Sequence, residues 1–285
     1  MDSKQFISTI KTHTEVSPVY FLLSMELPSE VKRPKPGQFF MVKVGRNNDP
    51  LLRRAFSLHR LINMNTIQIL YRVRGKGTGV LSKRVPGERL DILGPLGKGF
   101  EIHSQINEAI LVAGGVGIAP LFPLAEELKR AGKSIKLFIG GKNREDILCE
   151  DDFRSLGIEI YISTEDGTYG KRGLITDILE DYIQTPDSRL KTQIYACGPK
   201  PMLKVVSEIA RFYSLTCSAS LEERMACGIG ACLGCAVKTR VQSSGFRVQR
   251  KKTKDSRLPT PNSQLYKMVC KDGPVFNAEE IEWDD

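Results

Sequence analysis

The sequence lacks the long apolar runs and the leader that mark membrane and secreted proteins. No uninterrupted apolar stretch approaches the ~20 residues that a membrane-spanning helix needs. Residues 1–5 contain no basic segment that leads into an apolar run, so no secretory signal is predicted. Disulfides are therefore not expected, and the odd number of cysteines, seven, agrees with free thiols or ligands. Together these absences predict a cytoplasmic protein.

The sequence also has little of the usual machinery for hydrolysis or acyl transfer. Its three histidines, His13, His59 and His103, are not grouped with acids or serines, and there is no G-x-S-x-G motif. Hydrophobic residues make up 41% and charged residues 26% of the 285 residues, enough for two globular domains and a small module. A protein of this kind can leave the difficult chemistry to bound cofactors.

The excess of positive charge is local. The net charge is +9, but residues 240–267 hold eight basic residues against one acid, so the remainder is near neutral. One hypothesis is a small zinc-binding domain that uses this basic segment to bind nucleic acid. Binding of a single strand would need aromatic residues among these charges, and binding of a duplex would need a basic helix. In residues 241–264 Phe246 is the only aromatic, and Pro259 and Pro261 would break a helix. We expect a solvated surface loop, with a docking element for an acidic partner surface as the alternative.

The most specific motif is a group of cysteines. Residues 227–235 read C-x4-C-x2-C, and one more cysteine follows at a distance. This spacing is typical of the thiolate ligands of a plant-type 2Fe-2S cluster. The glycines between the cysteines allow close wrapping and supply backbone N–H donors to the sulfurs. A structural zinc site is the alternative, although its ligands usually come as two separated pairs. The predicted metal ligands are Cys227, Cys232, Cys235 and Cys270.

The first hundred residues have the pattern of an antiparallel β-barrel. Short β-rich runs are separated by proline, glycine and asparagine, and no long helix interrupts them. The predicted strands are 19–27, 38–44, 55–60 and 66–74.

Two motifs in this predicted barrel are suited to a flavin nucleotide. In residues 53–58 an arginine, an aromatic and a hydroxyl could meet the pyrophosphate, the ring and the edge of a flavin. An ordinary strand with Phe56 inward is the alternative. Residues 75–82 follow a strand and open a short helix, so their N–H groups and Thr78 could hold a phosphate. A plain glycine turn capped by Thr78 is the alternative.

After a junction at residues 94–100 the pattern changes to alternating strands and helices, which indicates a parallel sheet. The apolar run 109–113 is typical of a strand buried on both faces. The glycine-rich loop 114–120 and a helix predicted over 121–131 follow it. The loop is a candidate pyrophosphate site, and a tight turn that needs glycine is the alternative. Its candidate residues are Gly114, Gly115 and Gly117. Further strands are predicted at 135–139, 158–163 and 193–196, and a helix at 201–213.

Two further strand ends carry candidate nucleotide contacts. Cys197 begins a C-G-P turn at the carboxyl edge of the sheet, where it could lie against a nicotinamide; a buried packing cysteine is the alternative. Gly198 and Pro199 complete that turn. Glu165 and Asp166 would accept hydrogen bonds from a ribose and repel a 2′-phosphate, which favours NAD over NADP, although a basic pair follows closely.

The order of these motifs resembles the ferredoxin–NADP reductase superfamily, and the cysteine segment is similar to the electron-transfer subunits of type B dihydroorotate dehydrogenase. This resemblance implies an all-β plus α/β fold with three parts. An antiparallel FAD-binding β-barrel would occupy residues 1–100, a parallel Rossmann-like NAD domain 101–215, and a small 2Fe-2S module 216–285. It also implies that FAD is lined by Arg54, Phe56, Ser57, Leu70, Tyr71, Arg72, Gly77 and Thr78.

The resemblance further implies a partner, a catalytic subunit that carries FMN and oxidises dihydroorotate to orotate in pyrimidine biosynthesis. Two subunits of each kind would form a heterotetramer, and electrons would pass from FMN through the 2Fe-2S cluster and FAD to NAD+. The alternative is an NAD(P)H-oxidising subunit of another complex, such as a sulfide dehydrogenase or a ferredoxin:NADP oxidoreductase. The first ligand position of that relative tends to be acidic, so Cys227 argues against it.

One departure from the family pattern lies between Cys235 and Cys270, where the spacer is longer than expected. Residues 241–264 read as an insertion that is too poor in apolar residues to form a core, so a flexible loop is predicted. The entropy cost of closing a loop grows only logarithmically with its length, so ligation by Cys270 remains feasible.

Overall fold

A computed structural model describes residues 3–45, 49–184, 191–240 and 266–283. The predicted insertion 241–264 lies outside these residues. Within them, every helix is too short or too polar to cross a membrane.

The amino-terminal part is an antiparallel sheet of seven strands in the order β4-β3-β7-β1-β2-β6-β5. Phe56 of β4 and Tyr71 of β6 have ring centroids 5.4 Å apart, so the sheet curls until its two sides meet and the predicted barrel is confirmed. The elements are β1 (Lys4–Ser17), β2 (Tyr20–Glu26), β3 (Phe39–Lys43), β4 (Arg54–Ser57), β5 (Arg60–Asn63), β6 (Thr66–Arg72), the short helix α1 (Lys76–Leu81) and β7 (Arg89–Leu96).

The carboxyl-terminal part is built on a second sheet in the order β11-β10-β9-β8-β12-β13-β16. All its strands are parallel except β16, which pairs antiparallel with β13 at the edge. The strands are β8 (Glu108–Gly114), β9 (Ser134–Gly141), β10 (Glu159–Thr164), β11 (Lys171–Arg172), β12 (Thr192–Cys197), β13 (Thr216–Ser220) and β16 (Val275–Asn277). The predicted parallel sheet is therefore confirmed.

Helices cover both faces of this sheet because its strands are apolar on both sides. In β8, Ile110 and Val112 pack in one core with the apolar faces of α4 and α5, whereas Ala109 and Leu111 pack in another with α2 and α3. The helices are α2 (Leu121–Arg130), α3 (Glu150–Ser155), α4 (Ile175–Ile183) and α5 (Lys200–Phe212). This doubly covered arrangement leaves the carboxyl ends of the parallel strands free to face a ligand.

The cysteine segment sits between the two sheets. The loop 227–235 leads into a small hairpin of β14 (Ala236–Lys238) and β15 (Tyr266–Met268), and α6 (Val269–Asp272) follows. Cys235 and Cys270 are buried in the same core as Met41 and Leu96 of the barrel. The segment therefore packs against the barrel, and β13 and β16 on either side of it belong to the parallel sheet.

Candidate functional site

A cavity of about 740 Å³ lies between the barrel, the carboxyl edge of the parallel sheet and the segment that precedes the cysteine loop. Its volume is in the range of a cofactor site. Of the predicted residues, the cavity is lined by Phe56, Ser57, Leu70, Tyr71, Arg72, Thr78, Gly114, Gly115, Glu165, Gly198 and Pro199. It is also lined by residues that the sequence did not single out, among them Tyr20, Arg74, Lys142, Asp146, Ser163, Glu222 and Met225.

The barrel supplies an aromatic wall. The Tyr71 ring packs between Phe21 and Phe56, with ring centroids 5.7 Å and 5.4 Å away. Its hydroxyl contacts Nε2 of His13 at 2.9 Å, and Nδ1 of His13 lies 2.7 Å from the Arg84 carbonyl. Because that carbonyl can only accept, Nδ1 donates to it and the Tyr71 hydroxyl donates to Nε2. Burial raises the pKa of Tyr71, so this wall is uncharged and suits an apolar ring.

Of the two arginines predicted to meet the flavin, Arg54 and Arg72, only Arg72 lines the cavity. Arg74 lines the cavity as well. The Arg54 guanidinium donates to the Leu52 carbonyl at 2.6 Å and packs on Gly77, where a Cβ would lie 2.5 Å from Nε. Arg72 and Arg74 are two residues apart at the end of a strand and so share a face, a signal that could have identified Arg74.

Thr78 lines the cavity but also has a structural task. Its Oγ1 accepts hydrogen bonds from the N–H groups of Arg74 and Gly75, at 2.9 Å and 3.2 Å. These bonds satisfy backbone donors at the start of α1. The alternative interpretation, with Thr78 as the N-cap, is wrong in position, because Gly75 is the N-cap and Thr78 is the third residue of the helix. Thr78 therefore stabilises the glycine turn through these hydrogen bonds, in addition to lining the cavity.

The three glycines of the loop after β8 have different surroundings. A Cβ at Gly117 would collide with the carbonyl of Cys197, and one at Gly114 would lie 2.6 Å from the Pro199 ring. These two glycines allow the loops after β8 and β12 to pack together. Gly115 has φ +53°, and a Cβ there would approach only the Tyr20 hydroxyl, at 3.8 Å. Gly115 is thus the glycine whose open side faces the cavity, as a pyrophosphate would require.

The loop after β12 presents Gly198 and Pro199 to the cavity, but Cys197 is not among its described lining residues. Cys197 is 2% exposed, and burial raises the pKa of its thiol. The structure thus places this cysteine within the sheet, where it packs.

The opposite end of the cavity lies at the carboxyl ends of β9 and β10. Glu165, Ser163 and Lys142 line it. Asp166 instead accepts hydrogen bonds from the N–H and Oγ1 of Thr168, at 2.9 Å and 2.7 Å, which lower the pKa of Asp166. Of the two predicted acids, Glu165 is therefore the one that a nucleotide would meet.

The four cysteines of the predicted cluster form two pairs. Cys227 lies next to Cys232, and its Sγ accepts hydrogen bonds from the N–H groups of Ile229 and Cys232, at 3.5 Å and 3.4 Å. Burial acts to raise the pKa of Cys227, but these donors outweigh it and lower that pKa to about 6. The loop therefore stabilises a thiolate, which is the form that binds iron.

The second pair is Cys235 and Cys270, which the chain brings together through the β14–β15 hairpin. The Cys270 N–H donates to Sγ of Cys235 at 3.4 Å, and the Gly230 N–H donates to Sγ of Cys270 at 3.1 Å. Burial and the neighbouring Cys235 raise the pKa of Cys270 to about 12. The Gly230 bond links this pair to the loop that carries the first pair.

Two thiol pairs with backbone donors fit a two-iron cluster, in which each iron takes two protein ligands. Within the described parts of the chain, no three His, Cys, Asp or Glu side chains form a group that could hold a single metal ion. Met225, which lines the cavity, is only two residues before Cys227. The cysteine loop therefore begins at the cavity wall.

A curled antiparallel barrel followed by a parallel sheet, with a cavity where they meet, is a ferredoxin–NADP reductase-like fold. The structure of an NADH-dependent reduced ferredoxin-NADP oxidoreductase is similar over 97% of this chain and 90% of its own, with a TM-score of 0.79 and 27% identity. The ferredoxin NADP+ reductase of Neisseria gonorrhoeae, solved with bound FAD and NADP, covers 74% of this chain and 92% of its own at a TM-score of 0.63; at 18% identity it is similar in fold alone.

Sequence comparison narrows this class to one family. The model of an oxidoreductase NAD-binding domain matches residues 111–208, and that of the iron-sulfur cluster binding domain of dihydroorotate dehydrogenase B matches residues 222–253. The dihydroorotate dehydrogenase B (NAD(+)) electron transfer subunit of Desulforamulus reducens is 33% identical over 99% of this chain and 100% of its own length. That of Caldanaerobacter subterraneus subsp. tengcongensis is 43% identical over 88% of each chain. The chain belongs to the family of dihydroorotate dehydrogenase B electron transfer subunits.

Proposed function

We propose that this chain is the electron-transfer subunit of an NAD-dependent dihydroorotate dehydrogenase in pyrimidine biosynthesis. FAD would bind at the barrel side of the cavity, NAD at the carboxyl edge of the parallel sheet, and a 2Fe-2S cluster at the four cysteines. The observation that carries the proposal is that the cavity and the cysteine loop share a wall, through Met225. A short path between cluster and flavin is what electron transfer needs.

Electrons would pass from the FMN of the catalytic subunit through the cluster and the FAD to NAD+, with the FAD converting single electrons into the two-electron transfer that NAD+ accepts. The protein binds and orients these groups. Tyr71 and Phe56 would pack against the flavin, and Arg72 and Arg74 would meet its phosphates. Gly115 leaves room for the pyrophosphate of NAD, and Glu165 would accept from its ribose.

The surface around the cysteine loop supports a partner subunit on that side. Cys232 is exposed, and the apolar side chains of Ile229 and Leu233 beside it are 45% and 62% exposed. Exposed apolar side chains grouped at a redox centre suit burial by another protein. We propose an FMN-containing catalytic subunit there, in a heterotetramer of two subunits of each kind.

We also propose that the chain works in three segments, residues 1–100 for FAD, 101–215 for NAD and 216–285 for the cluster. The sheet pairings qualify this division in one respect. Strands β13 and β16 of the third segment complete the sheet of the second. Cluster and nucleotide segments would therefore move as one unit.

The deciding experiment is an ultraviolet–visible spectrum of anaerobically purified protein, with iron, zinc and flavin assayed on the same sample. We expect about two irons and one FAD per chain, and bleaching of the spectrum on addition of NADH. Zinc without iron or flavin would contradict the proposal. Co-expression with the FMN subunit should then give NAD+ reduction by dihydroorotate.

A second candidate is an NAD(P)H-oxidising subunit of another complex, such as a sulfide dehydrogenase or a ferredoxin:NADP oxidoreductase. It is favoured by the fold similarity to a ferredoxin-NADP oxidoreductase over 97% of the chain. The loaded protein would distinguish the two, because this candidate would reduce ferredoxin or polysulfide with NADPH or NADH and would gain no dihydroorotate activity from the FMN subunit.

A further inference from the structure

Tyr20 of the barrel contacts the nucleotide-binding half of the molecule inside the cavity, at a position that no motif marks. Its hydroxyl donates to Oδ1 of Asp146 at 2.5 Å, and the two residues are only 1% and 7% exposed. Burial and the neighbouring carboxylate raise the pKa of Tyr20, so its hydroxyl keeps its proton and acts as the donor. Asp146 lies in the turn that follows β9, so this bond joins opposite walls of the cavity.

The second oxygen of Asp146 holds the backbone of the cavity wall. Oδ2 accepts a hydrogen bond from the Lys142 N–H at 3.0 Å. Lys142 lines the cavity together with Gly140 and Gly141. Because both oxygens of one rigid carboxylate are engaged, fixing one of them with Tyr20 also fixes the direction of the other. Gly140 and Gly141 are held by their pairing with β8 and β10, so the bond from the barrel acts on Lys142, the residue that follows β9.

Beside Gly140, on the neighbouring strand, lies a buried hydroxyl without a partner among the described residues. Ser163 pairs with Gly140 in the register of β9 and β10 and is 1% exposed. Ser163 is among the residues that line the cavity, and its buried Oγ has no hydrogen-bond partner among the described residues. A buried hydroxyl without a partner is costly, so a bound group is expected to complete it. With Glu165 beside it, the pair of a hydroxyl and a carboxylate suits the hydroxyls of a ribose.

The order of the strands tells which half of NAD would reach this wall. The nicotinamide would lie near Gly198, at the end of β12, and the pyrophosphate at Gly115, at the end of β8. In the sheet, β9 and β10 follow β8 on the side away from β12. A dinucleotide that crosses the sheet edge in this order places its adenosine half at Ser163.

We propose that Tyr20 is a positioning residue for the adenosine half of NAD, because through Asp146 it holds Lys142, which lines the same end of the cavity as Ser163 and Glu165. This rests on the proposed NAD site and adds to it a barrel residue that recognises the nucleotide indirectly. Tyr20 and Asp146 both line the cavity, so this interdomain bond lies where the nucleotide would bind.

The test is Tyr20→Phe, which keeps the ring and removes the hydroxyl. ADP-ribose, which lacks the nicotinamide, is titrated calorimetrically into the FAD-loaded full chain, and nicotinamide mononucleotide is measured as a competitive inhibitor of NADH oxidation. We expect the affinity for ADP-ribose to fall about fivefold to tenfold, which corresponds to roughly 1 kcal/mol. The inhibition constant of nicotinamide mononucleotide should not change, and KM for NADH should rise with kcat unchanged.

The matched control is Tyr195→Phe. The hydroxyl of this buried tyrosine also donates, with the Glu101 carbonyl at 3.1 Å and Gln193 Oε1 at 3.0 Å as its acceptors, but Tyr195 is not among the residues that line the cavity. The Tyr195→Phe variant should bind ADP-ribose with the same affinity as the wild type.

Three results would overturn the proposal. These are unchanged ADP-ribose affinity in Tyr20→Phe with full FAD content, an equal loss for both half-nucleotides, and an equal loss in the control. If Tyr20→Phe does not fold, Asp146→Ala decides by the same criteria, because it removes both oxygens that link Tyr20 to Lys142. Failure of the proposed NAD site is distinguishable, since the wild type itself would then bind no ADP-ribose.

Discussion

Cys270 is the candidate ligand furthest in sequence from the others, yet its Sγ accepts the Gly230 N–H of the cysteine loop at 3.1 Å. We expect Cys270→Ser to lower iron from about two per chain to nearly none, because a hydroxyl is a poor replacement for a thiolate. Flavin content should remain, since Cys270 does not line the cavity. Iron and flavin assays on one anaerobic sample measure both. The control is Cys149→Ser, which should keep its iron; full iron in Cys270→Ser would contradict the ligand assignment.

Gly115 and Gly117 separate a binding role from a packing role within one loop. Gly117→Ala should lower the free energy of unfolding by roughly 1–3 kcal/mol, because its Cβ would collide with the Cys197 carbonyl. Gly115→Ala should cost about 1–2 kcal/mol for its left-handed conformation, but its Cβ has open space. It should weaken NAD+ binding more than Gly117→Ala does.

Urea unfolding followed by circular dichroism measures the free energy of unfolding of both variants, and NAD+ titration of the folded proteins measures their affinity for NAD+. If Gly117→Ala were to lose more NAD+ affinity than Gly115→Ala, our division of roles between the two glycines would be wrong.

The β14–β15 hairpin is the element that delivers Cys235 and Cys270 to each other, since Ala236 pairs with Met268 directly beside them. We therefore expect the cluster to survive when residues 241–264, which lie outside the described residues, are replaced by a short Gly-Ser linker. Shortening a loop changes its closure entropy only slightly. Iron content and the visible spectrum of the deletion variant should match those of the wild type.

Loss of iron in that variant, with FAD retained, would show that the inserted segment is needed for the cluster. A second measurement compares how strongly the wild type and the deletion variant assemble with the partner subunit. If the insertion is a docking element for an acidic surface, the variant will keep its iron but assemble more weakly, and the difference will diminish at high salt.

Elements with a clear apolar period were predictable, and β1 was not. In β1 the buried residues are Phe6, Ser8 and Ile10, and most of the others are exposed and polar, so no continuous apolar alternation marks its 14 residues. Local pattern does not indicate the contact of Cys149 either: this residue directly precedes α3 in a left-handed conformation, and its Sγ lies 3.9 Å from Nε2 of His59. Such elements are stabilised by their neighbours in the sheet and the interface, not by local pattern.

At the scale of the whole molecule, His59 lies in the interface between barrel and parallel sheet. Its Nδ1 contacts the Ala119 carbonyl at 3.1 Å, and burial lowers the pKa of His59 to about 4. The unfolded chain binds this proton near its ordinary pKa of about 6.5, before the folded protein does, so stability should fall as the pH drops from about 6.5 to about 4. The maximum contribution is roughly 3 kcal/mol.

Urea unfolding at pH 7.5 and pH 4.5 measures this contribution as the difference between wild type and His59→Gln. The wild type should lose more stability on acidification than the variant. Because carboxylates titrate equally in both proteins, the comparison isolates His59. His103→Gln, at an exposed position, is the control and should behave as the wild type. An equal loss in wild type and His59→Gln would contradict the assignment.

The amino-acid sequence was enough to predict a barrel followed by a parallel sheet, and to mark the cysteines and the glycine loops as candidate sites, because these features depend on spacing and on local backbone preference. Only the packed structure shows that Arg54 lies against Gly77 and does not line the cavity, and that Glu165 lines it while Asp166 accepts from Thr168. The packed structure also shows that Tyr20 meets Asp146, 126 residues away. The physical reason is that hydrogen-bond partners and cavity walls come from separate strands and loops, and only packing brings these together.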